Sequence, residues 1–121
     1  MIIIRYIFSL FIVLISTTIT FGQNFGNEYY RLTTQSQGAG RSLDVINDGR
    51  NNKVHLAHTG HFTGQMWKIT DLGNGYYRLT TQWQGVDKSL DAINDGKNNQ
   101  IRLAKSGNLL GQMWKIEKYT P

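Results

Sequence analysis

Residues 29–70 align with residues 76–117 without a gap, at an offset of 47, and 27 of the 42 positions are identical. The first copy reads YYRLTTQSQGAGRSLDVINDGRNNKVHLAHTGHFTGQMWKIT and the second YYRLTTQWQGVDKSLDAINDGKNNQIRLAKSGNLLGQMWKIE. Several of the differences are conservative, among them Arg41/Lys88, Arg50/Lys97, Val54/Ile101 and Thr59/Ser106. Agreement at this level is a tandem duplication. A repeat of this period is one supersecondary unit, which buries its apolar face against its own copy.

Within a copy the apolar residues alternate with a period of two, in short runs split by turn residues, which is the pattern of strands. Tyr30, Leu32 and Thr34 share one face of a first predicted strand, and Leu43 and Val45 one face of a second. Val54 and Leu56 share a face of a third, and Gln65, Trp67 and Ile69 a face of a fourth. Asp44 and His55 fall on the opposite faces of the second and third. Asn47-Asp48-Gly49 is a turn signal, because these residues tolerate a positive φ. Residues 71–75, Asp-Leu-Gly-Asn-Gly, join the copies and read as a turn by composition. No apolar stripe of helical period follows residue 22, so an all-β chain of about eight strands is expected, four in each repeat.

Residues 1–22 read as a signal peptide. Arg5 carries the positive charge, residues 6–15 (YIFSLFIVLI) form the apolar core, and Thr20 and Gly22 stand at −3 and −1 of a cut before Gln23. An apolar run this short, broken by Ser9, is marginal for spanning a membrane. Cleavage and a secreted or periplasmic location are therefore expected, with no membrane span in the processed chain. Residues 23–28 are a lead-in to the domain of residues 29–118. There is no cysteine, so stability must come from packing. After cleavage twelve basic residues face eight acidic ones, interspersed and without a Lys/Arg run. That distribution describes a solvated surface and argues against nucleic acid as a partner.

Gln65-Met66-Trp67 and Gln112-Met113-Trp114 are Gln-x-Trp motifs, each about twenty residues after a Ser-Leu-Asp segment, Ser42-Leu43-Asp44 and Ser89-Leu90-Asp91. In this layout the chain resembles the ricin B-chain-like lectins, over about residues 28–118. The resemblance implies a β-trefoil, three lobes of four strands, of which this sequence carries two: an incomplete trefoil. It also implies carbohydrate binding without chemistry on the ligand, and a structural role for Trp67 and Trp114 with Gln65 and Gln112.

The resemblance places the family's sugar-holding carboxylate on Asp44 and Asp91. The residues support that independently, since Asp44 is turned away from the Leu43/Val45 face and a carboxylate accepts hydrogen bonds from two neighbouring hydroxyls. His55 and its counterpart Arg102 are candidates for the same outer face, with Asn47 or Asn52, and Asn94 or Asn99, adding amide contacts. The alternative for Asp44 and Asp91 is that they stabilise the Asn-Asp-Gly turn. The aromatic platform of the family's third strand falls on Ala57 and Ala104, and its polar residue before the Gln falls on Gly64 and Gly111. Trp83, where copy one has Ser36, is the replacement platform, which leads us to expect the better site in copy two; the alternative is that Trp83 packs on the neighbouring lobe.

His55, His58 and His61 resemble a metal cluster only by count. Alternation separates His55 from His58, and copy two has Arg102, Lys105 and Asn108 there. The segment from Asp44 to Gly49 fails as a calcium loop because Ile46 occupies a ligand position and no Glu closes it. No metal or other cofactor is expected. No nucleophile elbow and no convergent acid–base pair is identifiable, so no catalytic residue is assigned and an enzyme is not expected. A non-lectin protein-interaction scaffold, or a shortened remnant of a larger trefoil protein, is the competing reading. Two lobes leave a sheet edge open, and self-association to complete the trefoil is the corresponding expectation.

Overall fold

A computed structural model describes residues 24–120. The predicted signal peptide, residues 1–22, lies outside the described residues. Eight strands are found among those residues: β1 (Tyr29–Tyr30), β2 (Arg41–Val45), β3 (Val54–His58), β4 (Trp67–Gly73), β5 (Tyr76–Thr81), β6 (Lys88–Ala92), β7 (Ile101–Lys105) and β8 (Trp114–Lys115). One-turn 3₁₀ segments, Thr63–Gln65 and Leu110–Gln112, precede β4 and β8. The order within the two repeats is the same, as the duplication requires. Among the described residues no helix is long and apolar enough to cross a membrane.

All pairing is antiparallel. One sheet runs in the order β1-β4-β5-β8, and β2-β3 and β6-β7 are separate hairpins. The first and last strands of each repeat pair with each other, and the two repeats join through β4 and β5. That junction is made by Asn74 and Gly75, with φ of 57° and 83°. Two successive positive φ values are what a two-residue hairpin turn needs to match the twist of its strands, and Asn-Gly supplies them at the lowest steric cost.

The core is assembled from the predicted inward faces. Val45, Trp67, Ile69, Tyr77, Leu79, Leu90 and Leu103 are buried, and Tyr30, Leu32, Leu43, Val54, Trp114 and Ile116 pack against them. The lead-in contributes Phe25, whose ring meets Tyr30 and Tyr77 edge-on at centroid distances of 5.3 and 5.2 Å. The Tyr30 hydroxyl donates to the Phe25 carbonyl at 2.9 Å, which fixes the lead-in against the sheet.

The motif residues are tied to this frame in the same way in both repeats. The Trp67 and Trp114 indole N–H groups donate to the Leu43 and Leu90 carbonyls, each at 2.9 Å. The Gln65 amide donates to the His58 carbonyl at 2.9 Å while its oxygen accepts from Gly60 N–H at 3.1 Å; Gln112 does the same with Lys105 and Gly107. The buried Ser42 hydroxyl meets the Thr59 hydroxyl at 2.6 Å, and Thr59 donates onward to the Ala39 carbonyl at 2.7 Å. Since the Thr59 proton is committed to Ala39, Ser42 must donate to Thr59. Ser89, Ser106 and Val86 repeat the chain.

Two expectations change at the level of elements. Gln65 is not on the fourth strand: it ends the 3₁₀ turn, and its amide closes the preceding loop instead of lining a sheet face. The first predicted strand is six residues long in repeat two but two in repeat one. Identical residues, YYRLTT, behave differently because β5 lies between β4 and β8, whereas β1 is an edge with a single neighbour.

Candidate functional site

Strand β2 and its connection to β3 carry two carboxylates, Asp44 on the strand and Asp48 in the connection, with separate tasks. Asp48 holds the turn: its Oδ1 accepts the backbone N–H groups of Asn51 at 2.9 Å and Arg50 at 3.2 Å. Asn51 itself has φ of 59°. The Asn51 N–H is the chief reason the Asp48 carboxyl lies below its ordinary value; Arg50 N–H and the Lys53 charge add to it, against opposing desolvation. Asp95 is lowered in the same way, first by Asn98 N–H and then by Lys97 N–H. Turn stabilisation, the alternative role for Asp44 and Asp91, is thus carried by Asp48 and Asp95.

Asp44 is left to face a cleft of about 390 Å³, lined by Asp44, Val45, Asn47, His61, Phe62, Thr63, Gly64 and Trp83. The 3₁₀ turn Thr63–Gln65 roofs the outer face of β2, and the Gln65 amide donates to Asp44 Oδ2 at 3.3 Å. A Cβ on Gly64 would lie 2.6 Å from Asp44 Oδ1. Glycine at this position is therefore what leaves room for the carboxylate, and the absent polar side chain is a steric requirement of the site. Gly111 stands in the same relation to Asp91, at 2.5 Å from its Oδ1.

Trp83 enters this cleft from the other repeat. Its backbone N–H donates to the Thr63 carbonyl at 3.3 Å, and the Gln82 N–H donates to the Met66 carbonyl at 3.0 Å. The loop after β5 is thereby pinned to the 3₁₀ turn of repeat one, and the half-buried Trp83 ring packs against the core and Gly64. This corrects the expectation that Trp83 would favour copy two: the aromatic wall is lent by repeat two to the site of repeat one. The cause is the order of the lobes. The loop between β5 and β6, the first two strands of repeat two, lies against the 3₁₀ turn of repeat one. The alternative of packing on the neighbouring lobe and the role of cleft wall are therefore one and the same position.

Phe62, His61 and Thr63 line the cleft as well, and only His61 had drawn notice in the sequence, as part of a weak histidine cluster. Phe62 is 57% exposed. Its ring lies over Gly60, where a Cβ would come within 2.5 Å of it. In repeat two these positions hold Asn108, Leu109 and Leu110, and no aromatic ring. The sequence signal was a Phe/Leu difference two residues before the Gly-Gln pair, in a segment with no strand periodicity to orient it.

The remaining predicted residues are not gathered at Asp44. His55 stands opposite Asp44 in the hairpin register but does not line the cleft. Asn52, Asn99 and Arg102 line a second cleft of about 570 Å³, between the tips of the two hairpins, with Ile46, Lys53, Val54, Ile93, Gln100 and Ile101. Asn94 lines neither of these clefts. Asp91 is 7% exposed.

The repeat-one cleft combines an acceptor-only carboxylate, an amide and two aromatic rings at its rim. Its volume lies in the range of small-ligand sites. The polar groups fix orientation through hydroxyl or N–H donors, and the rings offer apolar area to a flat, partly apolar face.

No family model and no curated protein matches the chain. Among solved structures it is similar to the crystal structure of ThreeFoil, a designed 3-fold symmetric protein, with a TM-score of 0.60 and 27% identity over 76% of this chain. The chain spans 66% of the length of that structure. The fold is all-β and trefoil-like.

Proposed function

We propose that the protein is an exported carbohydrate-binding protein, lectin-like and without catalysis, whose main site is the cleft of repeat one. The observation that carries this reading is the meeting of Asp44 and Asn47 with Trp83 and Phe62 around one opening. A sugar ring presents vicinal hydroxyls at its edge and C–H groups on its face. The carboxylate and amide answer the first, the aromatic rings the second. A trefoil-like scaffold with Gln-x-Trp repeats supports the ricin B-like reading suggested by the sequence. Repeat two keeps Asp91 and Asn94 but has Leu109 in place of Phe62 and no lobe after it in the same chain to lend a ring as Trp83 does, so it is the weaker site.

A glycan array with wild type and with Asp44→Asn, Trp83→Ala, Phe62→Ala and Asp91→Asn tests the reading. A defined set of glycans bound by wild type, lost in the first three and kept in the fourth, is expected. No glycan bound by wild type, or binding indifferent to the first three changes, would overturn it.

A further inference from the structure

The two repeats are held together by contacts whose counterparts stand open at both ends of the molecule. Between the repeats, β4 pairs with β5 with Trp67 opposite Thr81, Ile69 opposite Leu79 and Thr70 opposite Arg78. The hairpins add Leu103 N–H to the Asn52 carbonyl at 2.8 Å, Lys88 Nζ to the Arg50 carbonyl at 3.1 Å, and pairing of Lys53 with Arg102. By the offset of 47, repeat two carries a second copy of the giving half: Trp114, Ile116, Glu117, Lys97 and Asn99. Repeat one carries a second copy of the receiving half: Leu32, Thr34, Arg31, Arg41 and Leu56.

Burial shows that both halves lack what their copies have. Trp67, Ile69, Leu79 and Thr81 are buried, while Trp114, Ile116 and Leu32 are only half-buried and Thr34 is exposed. The strands concerned, β1 and β8, are the two edges of the four-stranded sheet. Ile46, Val54, Ile93 and Ile101 line the cleft between the two hairpins, with Ile101 38% exposed.

We infer that the occupant of these edges is a lobe of a second copy of this chain, docked with β8 of one copy against β1 of the next. The open face of one copy finds the counterparts of its missing contacts on the opposite face of another, and the two-residue stubs β1 and β8 would lengthen on pairing to match β5 and β4. One substitution favours the pairing further. At the register position of Thr70 and Arg78, the junction between copies would set Glu117 opposite the partner's Arg31, opposite charges across a strand pair. Glu117 is 71% exposed, with Lys115 at 3.6 Å as its ion-pair partner. The docking would also bring the partner's Ser36 over Asp91, the place that Trp83 takes over Asp44, so the second site is completed by another chain. Since a threefold ring has space for one further lobe and each copy brings two, three chains close two rings: two keep β4 on β5, and the third opens that pair at Asn74-Gly75, as in a domain swap, and gives one lobe to each ring.

Light scattering on the chain expressed with its own N-terminus, scaled to the protomer mass of the same sample by denaturing mass spectrometry, tests this. A mass of three protomers is expected. Glu117→Arg should raise the dissociation concentration roughly five- to tenfold for each interface it enters, and Arg31→Glu in the same chain should restore it. Circular dichroism of each variant reads strand content, so loss of assembly is separated from loss of fold. A single-protomer mass, or an assembly indifferent to both charge changes, overturns the inference. An assembly of another size that obeys the charge swap keeps the docking and overturns the three-chain closure.

Discussion

Asp44 and Asp48 show how little separates a binding group from a structural one. They are four residues apart, yet Asp48 commits its Oδ1 to two N–H groups of its own turn, and Asp44 retains acceptor capacity toward the cleft. Asp44→Asn removes the charge and keeps the shape; a hydrogen bond to a charged group contributes about 1.5–3 kcal/mol, so sugar affinity should fall by roughly ten- to a hundredfold. Calorimetric titration with the array's best glycan reads this. Gly64→Ala should act through the same group, since its Cβ meets Asp44 Oδ1 at 2.6 Å and must displace it; the same titration should show a loss at least as large as that of Asp44→Asn. For Asp48 and Asp95 the folded carboxyl is lowered from 3.8, so the unfolded chain binds the proton first. Their contribution to stability is therefore complete above the unfolded value and disappears as pH falls through the lower folded one. Carboxyl carbon NMR titrations should give midpoints below 3.8 for both residues. Asp48→Asn and Asp95→Asn should lower the melting temperature at neutral pH and cease to matter in strong acid.

At the scale of elements, the strands are legible in the sequence because a half-buried strand must alternate, and Leu43/Val45 and Val54/Leu56 do so. The turns are legible because Asn74-Gly75 and the Asp48 loop need residues that accept positive φ. What alternation does not convey is how long a strand lasts, which depends on neighbours: YYRLTT is a full strand between two partners and a two-residue stub at an edge. Nor does it orient the 3₁₀ turns, which is why Phe62 and Thr63 escape notice while Asp44 does not. The lead-in is equally silent in sequence, yet Phe25 bridges Tyr30 and Tyr77. Phe25→Ala should destabilise the fold by about 2–4 kcal/mol, somewhat below the cost of emptying a fully buried aromatic site because Phe25 is half-buried. Urea denaturation with an unchanged slope would read that as lost packing; no change in midpoint would show that the lead-in does not brace the core.

At the scale of the molecule, the repeats are not two independent binding units. The cleft of repeat one takes a wall from repeat two, so the position of Trp83 in copy two equips copy one. A repeat read on its own puts Trp83 beside Asp91; only the arrangement of lobes places it beside Asp44. The chain carries three tryptophans, and their placement provides a direct test of the proposed sugar site. The indole N–H groups of Trp67 and Trp114 are bonded to the Leu43 and Leu90 carbonyls, whereas Trp83 lines the cleft. In an ¹⁵N-labelled sample, titration with a bound glycan should shift the Trp83 indole resonance progressively to saturation and leave that of Trp114 in place. A Trp83 resonance unmoved at saturation, or a shift centred on Trp114, would contradict a sugar site in repeat one.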